Sequence, residues 1–204
     1  MNDLEIRQSF HKKKLHKYHT NRDTMVIDEL GLNHGKSRAD IAVISSFLIG
    51  YEIKSNSDSL LRLKQQIQAY NSIFDRSYII VGNRYEKIIH KHVPEWWGII
   101  VSEKDKKDVI NFNLIRRAYK NKDVKPISIA RLLWREEAVE ILRHNQFAEK
   151  FLRKPRSILY ESLTDIYNIR ELQKITIKYL KKRENWRHPE QSFQYDDSSL
   201  LSSK

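Results

Sequence analysis

Apolar positions along this chain change spacing twice, from helical to extended and back. Between Asp3 and about Lys17, Leu4, Phe10 and Leu15 recur at helical spacing among lysines and histidines, before a polar break at Asn21-Arg22-Asp23. Three extended runs follow at about Thr24 to Leu30, Arg38 to Ile44 and Phe47 to Lys54. Each is dense in Ile, Val and Leu, as strands covered by another layer are. Leu60, Leu63, Ile67, Tyr70 and Phe74 then form one stripe of a helix from about Leu60 to Phe74, with Ser57 or Asp58 available as its cap. Ser77 to Val81 and Gly98 to Val101 read as short buried strands, with a helix from Arg84 to Lys91 between them. Alternation of this kind predicts an α/β fold, a mixed sheet flanked by helices.

A boundary is expected at Pro126, after the polar stretch Lys120-Asn121-Lys122-Asp123. Beyond it three helices are predicted, at Ser128 to His144, Pro155 to Tyr167 and Ile169 to Lys182. Pro155 suits a first turn, and Asn168 with Glu171 has the spacing of a capping box. The chain is thus expected to divide into a core at 1–125, a small all-helical C-terminal module at 126–187 and a polar, disordered tail at 188–204. The helix, loop, helix character of the second part resembles SAP-like DNA-binding domains. The plainer reading is a helical cover packed on the core.

Composition narrows the class. With 204 residues and 40% hydrophobic positions the chain can bury one sizeable core. It has no cysteine, which excludes disulfides and thiolate zinc sites. No early run has signal-peptide form and none is long enough to span a bilayer, so a cytoplasmic protein without membrane contact is expected. The formal net charge of +12 favours a polyanionic partner, a nucleic acid above all.

Two of the extended runs carry charges that an apolar strand does not tolerate unpaired. Asp40 lies in Ser37-Arg38-Ala39-Asp40-Ile41-Ala42-Val43-Ile44, and Glu52 and Lys54 in Leu48-Ile49-Gly50-Tyr51-Glu52-Ile53-Lys54-Ser55. Side chains alternate along a strand, so Glu52 and Lys54 share a face. A hairpin turning near Ser45, Ser46 and Phe47 would set Asp40 opposite or diagonal to Glu52. Two carboxylates, the Ile53 backbone carbonyl and water can hold Mg2+ or Mn2+, and Lys54 can orient a nucleophile or stabilise a charged phosphate. The implied chemistry is metal-dependent phosphodiester hydrolysis. The alternatives are a solvated surface strand and a structural Glu52–Lys54 ion pair.

The Asp-bearing strand, the Glu-x-Lys strand and the helix carrying Gln66-Ile67-Gln68-Ala69-Tyr70 together resemble the PD-(D/E)XK nuclease superfamily, over roughly the first half of the chain. The glutamine-to-tyrosine spacing is similar to that of its RecB-like exonuclease branch. Val26-Ile27-Asp28-Glu29-Leu30-Gly31, Ser37-Arg38-Ala39-Asp40 and Val93-Pro94-Glu95-Trp96-Trp97-Gly98 resemble an uncharacterised bacterial family within it. The resemblance implies a restriction-endonuclease-like core and a nuclease acting on DNA. It implies Asp40 and Glu52 as metal ligands, Lys54 as the catalytic lysine, and Gln66 and Tyr70 on the substrate side. Ala39 stands where the superfamily motif has proline. The superfamily's additional acidic residue, usually on the first helix, is assigned to Glu29, with Glu5 as competitor. A catalytically silent nucleic-acid-binding or regulatory protein on the same fold is the alternative.

Other features point less sharply. His11, His16 and His19 among Lys12, Lys13, Lys14 and Lys17 read as a solvated basic helix rather than a zinc site. Trp96 and Trp97 precede a buried strand, which favours core packing over base stacking. Arg38 can grip a phosphate or pair with a site carboxylate.

Overall fold

Strands β1 (Met25–Leu32), β2 (Ser37–Ile44) and β3 (Leu48–Lys54) form an antiparallel meander because each is joined to the next by only a few residues. The computed structural model describes residues 1–183, so the tail expected at 188–204 lies outside the described residues. Parallel neighbours need a crossover. Helix α3 (Leu63–Asn71) carries the chain from β3 to the parallel β4 (Arg76–Gly82), and two short 3-10 turns, Asn83–Tyr85 and Ile89–Lys91, lead on to the parallel β5 (Gly98–Lys104). β6 (Ile110–Arg116) returns antiparallel, and the six strands lie side by side in chain order.

Both faces of this mixed sheet are covered. On one, helix α1 (Asp3–Lys13) sets Ile6 and Phe10 against Ile41, Tyr51, Ile53 and Phe112. On the other lie α3 and the C-terminal helices α4 (Pro126–Ala130), α5 (Arg135–His144), α6 (Glu149–Leu152), α7 (Arg156–Ile166) and α8 (Ile169–Lys182). Ile129, Leu159, Leu172 and Leu180 from these helices share one apolar cluster with Ile27, Leu30, Ile44 and Ile79 of the sheet. Among the described residues no helix is long and apolar enough to cross a membrane.

Several expected elements differ in detail. β6 was not anticipated from the sequence, although Ile110 and Phe112 alternate with polar positions. The helix expected at Arg84 to Lys91 is the pair of 3-10 turns. The first helix stops at Lys13, and a separate turn, α2 (His16–His19), follows. Leu4 is exposed, and Ile6 takes the core position instead. The stripe helix starts only at Leu63, without a side-chain cap. Asp58 instead accepts from the Ser55 backbone and hydroxyl at 2.7 and 2.6 Å. The helix expected from Ser128 breaks into α4 and α5 because Trp134 is extended, with ψ 160. α8 has the expected bounds, and its capping box between Asn168 and Glu171 is formed.

Candidate active site

Asp40 sits where two strand ladders fail at once. The β2–β3 pairing runs from Ile44 opposite Leu48 to Ile41 opposite Tyr51 and stops, so Asp40 and Glu52, next in register, are unpaired in the ladder. On its other side β1 pairs Asp28 with Ile41 and Leu30 with Ala39, skipping Glu29, whose φ of +55 is left-handed. A glutamate in that region is strained, and the local ladder gives way around it. Asp40 is thereby free of regular strand hydrogen bonds. Its Oδ2 accepts the Ile53 N–H at 2.6 Å, its own N–H donates to the Tyr70 hydroxyl at 3.2 Å, and its carbonyl accepts from Arg7 at 3.0 Å.

Glu52 is fully buried on β3, and Lys54 nearly so. The Lys54 ammonium donates to Glu52 Oε1 at 2.6 Å, and Gln66 Nε2 donates to the same oxygen. The Tyr70 hydroxyl lies beside this carboxylate but gives its proton to the Tyr51 carbonyl, 3.0 Å away. Glu52 Oε2 is left buried with no hydrogen-bond partner, as is Gln66 Oε1. Burial first, and then the Glu52 charge, push the Asp40 carboxyl up to about 8. Burial also raises Glu52 against the opposing pull of Lys54, and it raises the Tyr70 phenol. Gln66 and Tyr70 reach the site together because positions four apart share a helix face. Gly50 makes room for them: a Cβ there would lie 2.6 Å from the Phe74 ring and 2.8 Å from Tyr70.

Asp40, Ile53, Lys54 and Gln66 line a cleft of about 800 Å3, with Glu52 and Tyr70 buried behind its wall. Its rim holds Arg7, Lys36, Arg38, Arg62 and Arg131. The structure therefore brings Asp40, Glu52, Lys54, Gln66 and Tyr70 together around Ile53, where β3 borders the cleft. Glu29 reaches the cleft as well, but its carboxylate is held by Arg7 at 2.6 Å, with Arg38 at 3.8 Å. Arg38 is largely exposed on the rim. Glu5 lies elsewhere, closing the α1 capping box and pairing with Lys104 at 3.0 Å. Among the described residues no group of three or more His, Asp or Glu is placed to hold a metal ion.

Sequence reasoning missed Asp3 and Arg7 of α1, which line the cleft and pair at 3.1 Å. Their four-residue spacing on a predicted helix was the available signal. Arg62 and Arg131 gave none, being placed only by tertiary packing. The expectation of a solvated basic stretch holds at Lys12, Lys13, Lys14, His16 and Lys17, which are exposed, and is corrected at His11. His11 is buried, with its ring nitrogens 2.9 Å from His19 and 2.9 Å from Asp28. Nor does the lysine cluster border the cleft: Lys13 donates to the Ile110 carbonyl at 2.6 Å, and Lys14 lines a separate pocket by Tyr51 and Tyr78. Trp97 is buried and donates to Asn71 at 2.9 Å, as core packing predicts.

No solved structure matches the chain significantly. The chain is similar to Protein cII of Enterobacteria phage P4, with 24% identity over 161 residues, 79% of this chain and 60% of that protein. It thus spans less than two thirds of the length of the curated relative it matches. A family model described as Bacteriophage P4 protein cII matches residues 5–196, nearly the whole sequence, and the chain belongs to that family.

Proposed function

We propose that this chain is a nuclease of the PD-(D/E)XK type, hydrolysing phosphodiester bonds in DNA with Mg2+ or Mn2+ on a restriction-endonuclease-like core. The observation that carries this reading is the meeting of Asp40, Lys54 and Gln66, from two strands and a helix, in the wall of one cleft rimmed by arginines, with the Glu52 carboxylate buried directly behind Lys54 and Gln66. A divalent cation fits this donor set. Two carboxylates whose proton affinity is raised lie together, and Glu52 keeps a buried oxygen without a hydrogen-bond partner. Asp40 and Glu52 would hold the ion, with the Ile53 carbonyl as a further oxygen. When bound, such an ion polarises a phosphoryl oxygen and acidifies its water.

The remaining work belongs to the chain. Lys54 fixes Glu52 through Oε1 and brings a cation to the cleft, where charge on the phosphate builds up during displacement. Gln66 holds the same carboxylate from α3. Tyr70, bonded to the backbone of both Asp40 and Tyr51, keeps the two strand ends at a fixed separation. The rim arginines position phosphates without reading sequence.

A second reading, a nucleic-acid-binding or regulatory protein without turnover, is favoured by one observation. The 2.6 Å Glu52–Lys54 contact is a buried ion pair that forms without a metal. The deciding experiment offers linear, circular and single-stranded DNA to the parent and to Glu52→Gln with Mg2+, Mn2+, Ca2+ or chelator. Cleavage is expected with Mg2+ or Mn2+, stopped by chelator and reduced at least about 100-fold in Glu52→Gln. Binding without cleavage under every metal would select the second reading, and undiminished cleavage by demetallated protein would exclude the mechanism.

A further inference from the structure

A second cavity of about 330 Å3 lies beside the cleft, and Gly35 and Arg131 border both. The β1–β2 turn stands between them. Its residues Asn33, His34 and Gly35 are all left-handed, with φ of +48, +59 and +79. The His34 ring stacks 5.3 Å from Tyr160 of α7. Arg131, Arg135 and Arg156 line the cavity from α7 and from the two ends of the α4–α5 connection.

Arg131 donates to the Asn33 side-chain oxygen at 3.2 Å, and Arg135 to the carbonyls of Leu152 and Lys154 at 2.9 and 3.3 Å, all neutral acceptors. Among the described residues no carboxylate forms an ion pair with Arg131, Arg135 or Arg156. The cavity's Arg183 differs, since Glu137 neutralises it at 2.5 Å. Among the described residues Glu136 is the single acidic side chain on the wall. Burial and the charges of Arg131, Arg156 and Lys36 all hold the His34 pKa below its usual value, as a locally positive field requires.

An aromatic surface completes the wall. Trp134 is 53% exposed, and the Arg183 guanidinium sits 4.2 Å from its ring centre. Convergent guanidinium groups recognise phosphate oxygens in pairs, and an indole face accepts any unpaired base. An acidic peptide would use the arginines but not the indole.

We infer that this cavity binds an unpaired nucleic-acid segment leaving the cleft, with phosphodiester groups on Arg131, Arg135 and Arg156 and one base stacked on the exposed part of Trp134. The inference rests on the nuclease reading for the identity of the strand in the cleft, but the binding does not need turnover. It makes the preferred substrate one with a single-stranded segment adjoining the site of cleavage.

The test measures fluorescence anisotropy of a labelled single strand of about 12 nucleotides and of a blunt duplex, with chelator present so that nothing is cut. Parent, Arg156→Gln, Trp134→Leu and Trp134→Phe are compared as full chains whose melting temperatures are also recorded. Arg156→Gln is expected to weaken single-strand binding and to flatten the slope of log affinity against log salt by about 0.7. Trp134→Leu should weaken the single strand about tenfold and the duplex less than about threefold, with Trp134→Phe restoring most of the loss. Parental single-strand affinity in Arg156→Gln would overturn the inference, as would equal losses for single strand and duplex in Trp134→Leu. If Trp134→Leu melts early, Arg156→Gln decides alone, because its side chain is exposed and has no fold to support. Loss of binding in a protein that never cleaves would uphold this site and refute the nuclease reading. Intact cleavage with unchanged binding would do the reverse.

Discussion

Asp40 carries a proton near neutral pH in the metal-free protein, because burial and the Glu52 charge lift its carboxyl from 3.8 to about 8. Between those two values the folded chain binds a proton that the unfolded chain has released, so stability falls as pH rises through that window. The metal-free melting temperature is therefore expected to decline from about pH 5 to about pH 8, and Asp40→Asn should flatten that decline. On the proposed nuclease reading a metal must displace the same proton, so Mg2+ should raise the parental melting temperature more at the alkaline end, and should not raise that of Asp40→Asn. The same substitution should slow cleavage at least about 100-fold, equivalent to ~2.7 kcal/mol of transition-state stabilisation. Thermal melts across pH with and without Mg2+ measure the first two effects, and a parental profile that stays flat would deny the buried proton. At this scale Asp40, Glu52 and Lys54 were legible because strand alternation and the cost of burying charge are local rules. Arg62 and Arg131 obey no local rule. They enter the cleft only through the packing of α3 and α4 beside the sheet.

Elements were legible in proportion to how much of their stabilisation is local. Asn168 and Glu171 close a capping box within one turn, and α8 starts where the sequence says it does. β6 depends on pairing with β5 across a turn at Asp105 to Val109, where Asp108 is left-handed, and its short Ile110, Phe112 alternation is too weak to declare it. The α3 start was misplaced because Asp58, a plausible cap, instead stabilises the Ser55 turn. The contact between α3 and β3 depends on Gly50, and this contact joins fold to site. Gly50→Ala would drive a methyl into the Phe74 and Tyr70 rings at 2.6 and 2.8 Å, and both rings are fully buried. A loss of about 1–3 kcal/mol is expected from urea unfolding, as for other overpacked cores. Because Tyr70 and Gln66 move with the helix, cleavage should fall by more than the folded fraction does. Equal losses of activity and of folded protein would mean that α3 only supports the sheet.

At the scale of the whole molecule, the sequence boundary at Pro126 marks the start of a helix but not of a separate core. Ile129, Leu159, Leu163, Leu172 and Leu180 lie in the same apolar cluster as Ile27, Leu30, Ala42 and Ile44. Polar contacts tie the two parts as well: Gln173 donates to Asp75 at 2.7 Å, and Arg131 donates to the Asn33 side-chain oxygen at 3.2 Å. A proline after a polar stretch reports local chain geometry, and it cannot report which surface the following helices cover. Removing those helices would expose much of one face of β1 and β2 to water, an apolar loss too large for a sheet backed only by α1 and α3. The full chain should therefore unfold in urea as one cooperative transition, with circular dichroism and tryptophan fluorescence coincident. A fragment ending at residue 125 should show neither a cooperative transition nor binding of single-stranded DNA. If the full chain melts in two steps, or if the fragment folds and cleaves, the C-terminal helices are an independent module and the shared core is not what holds the site together.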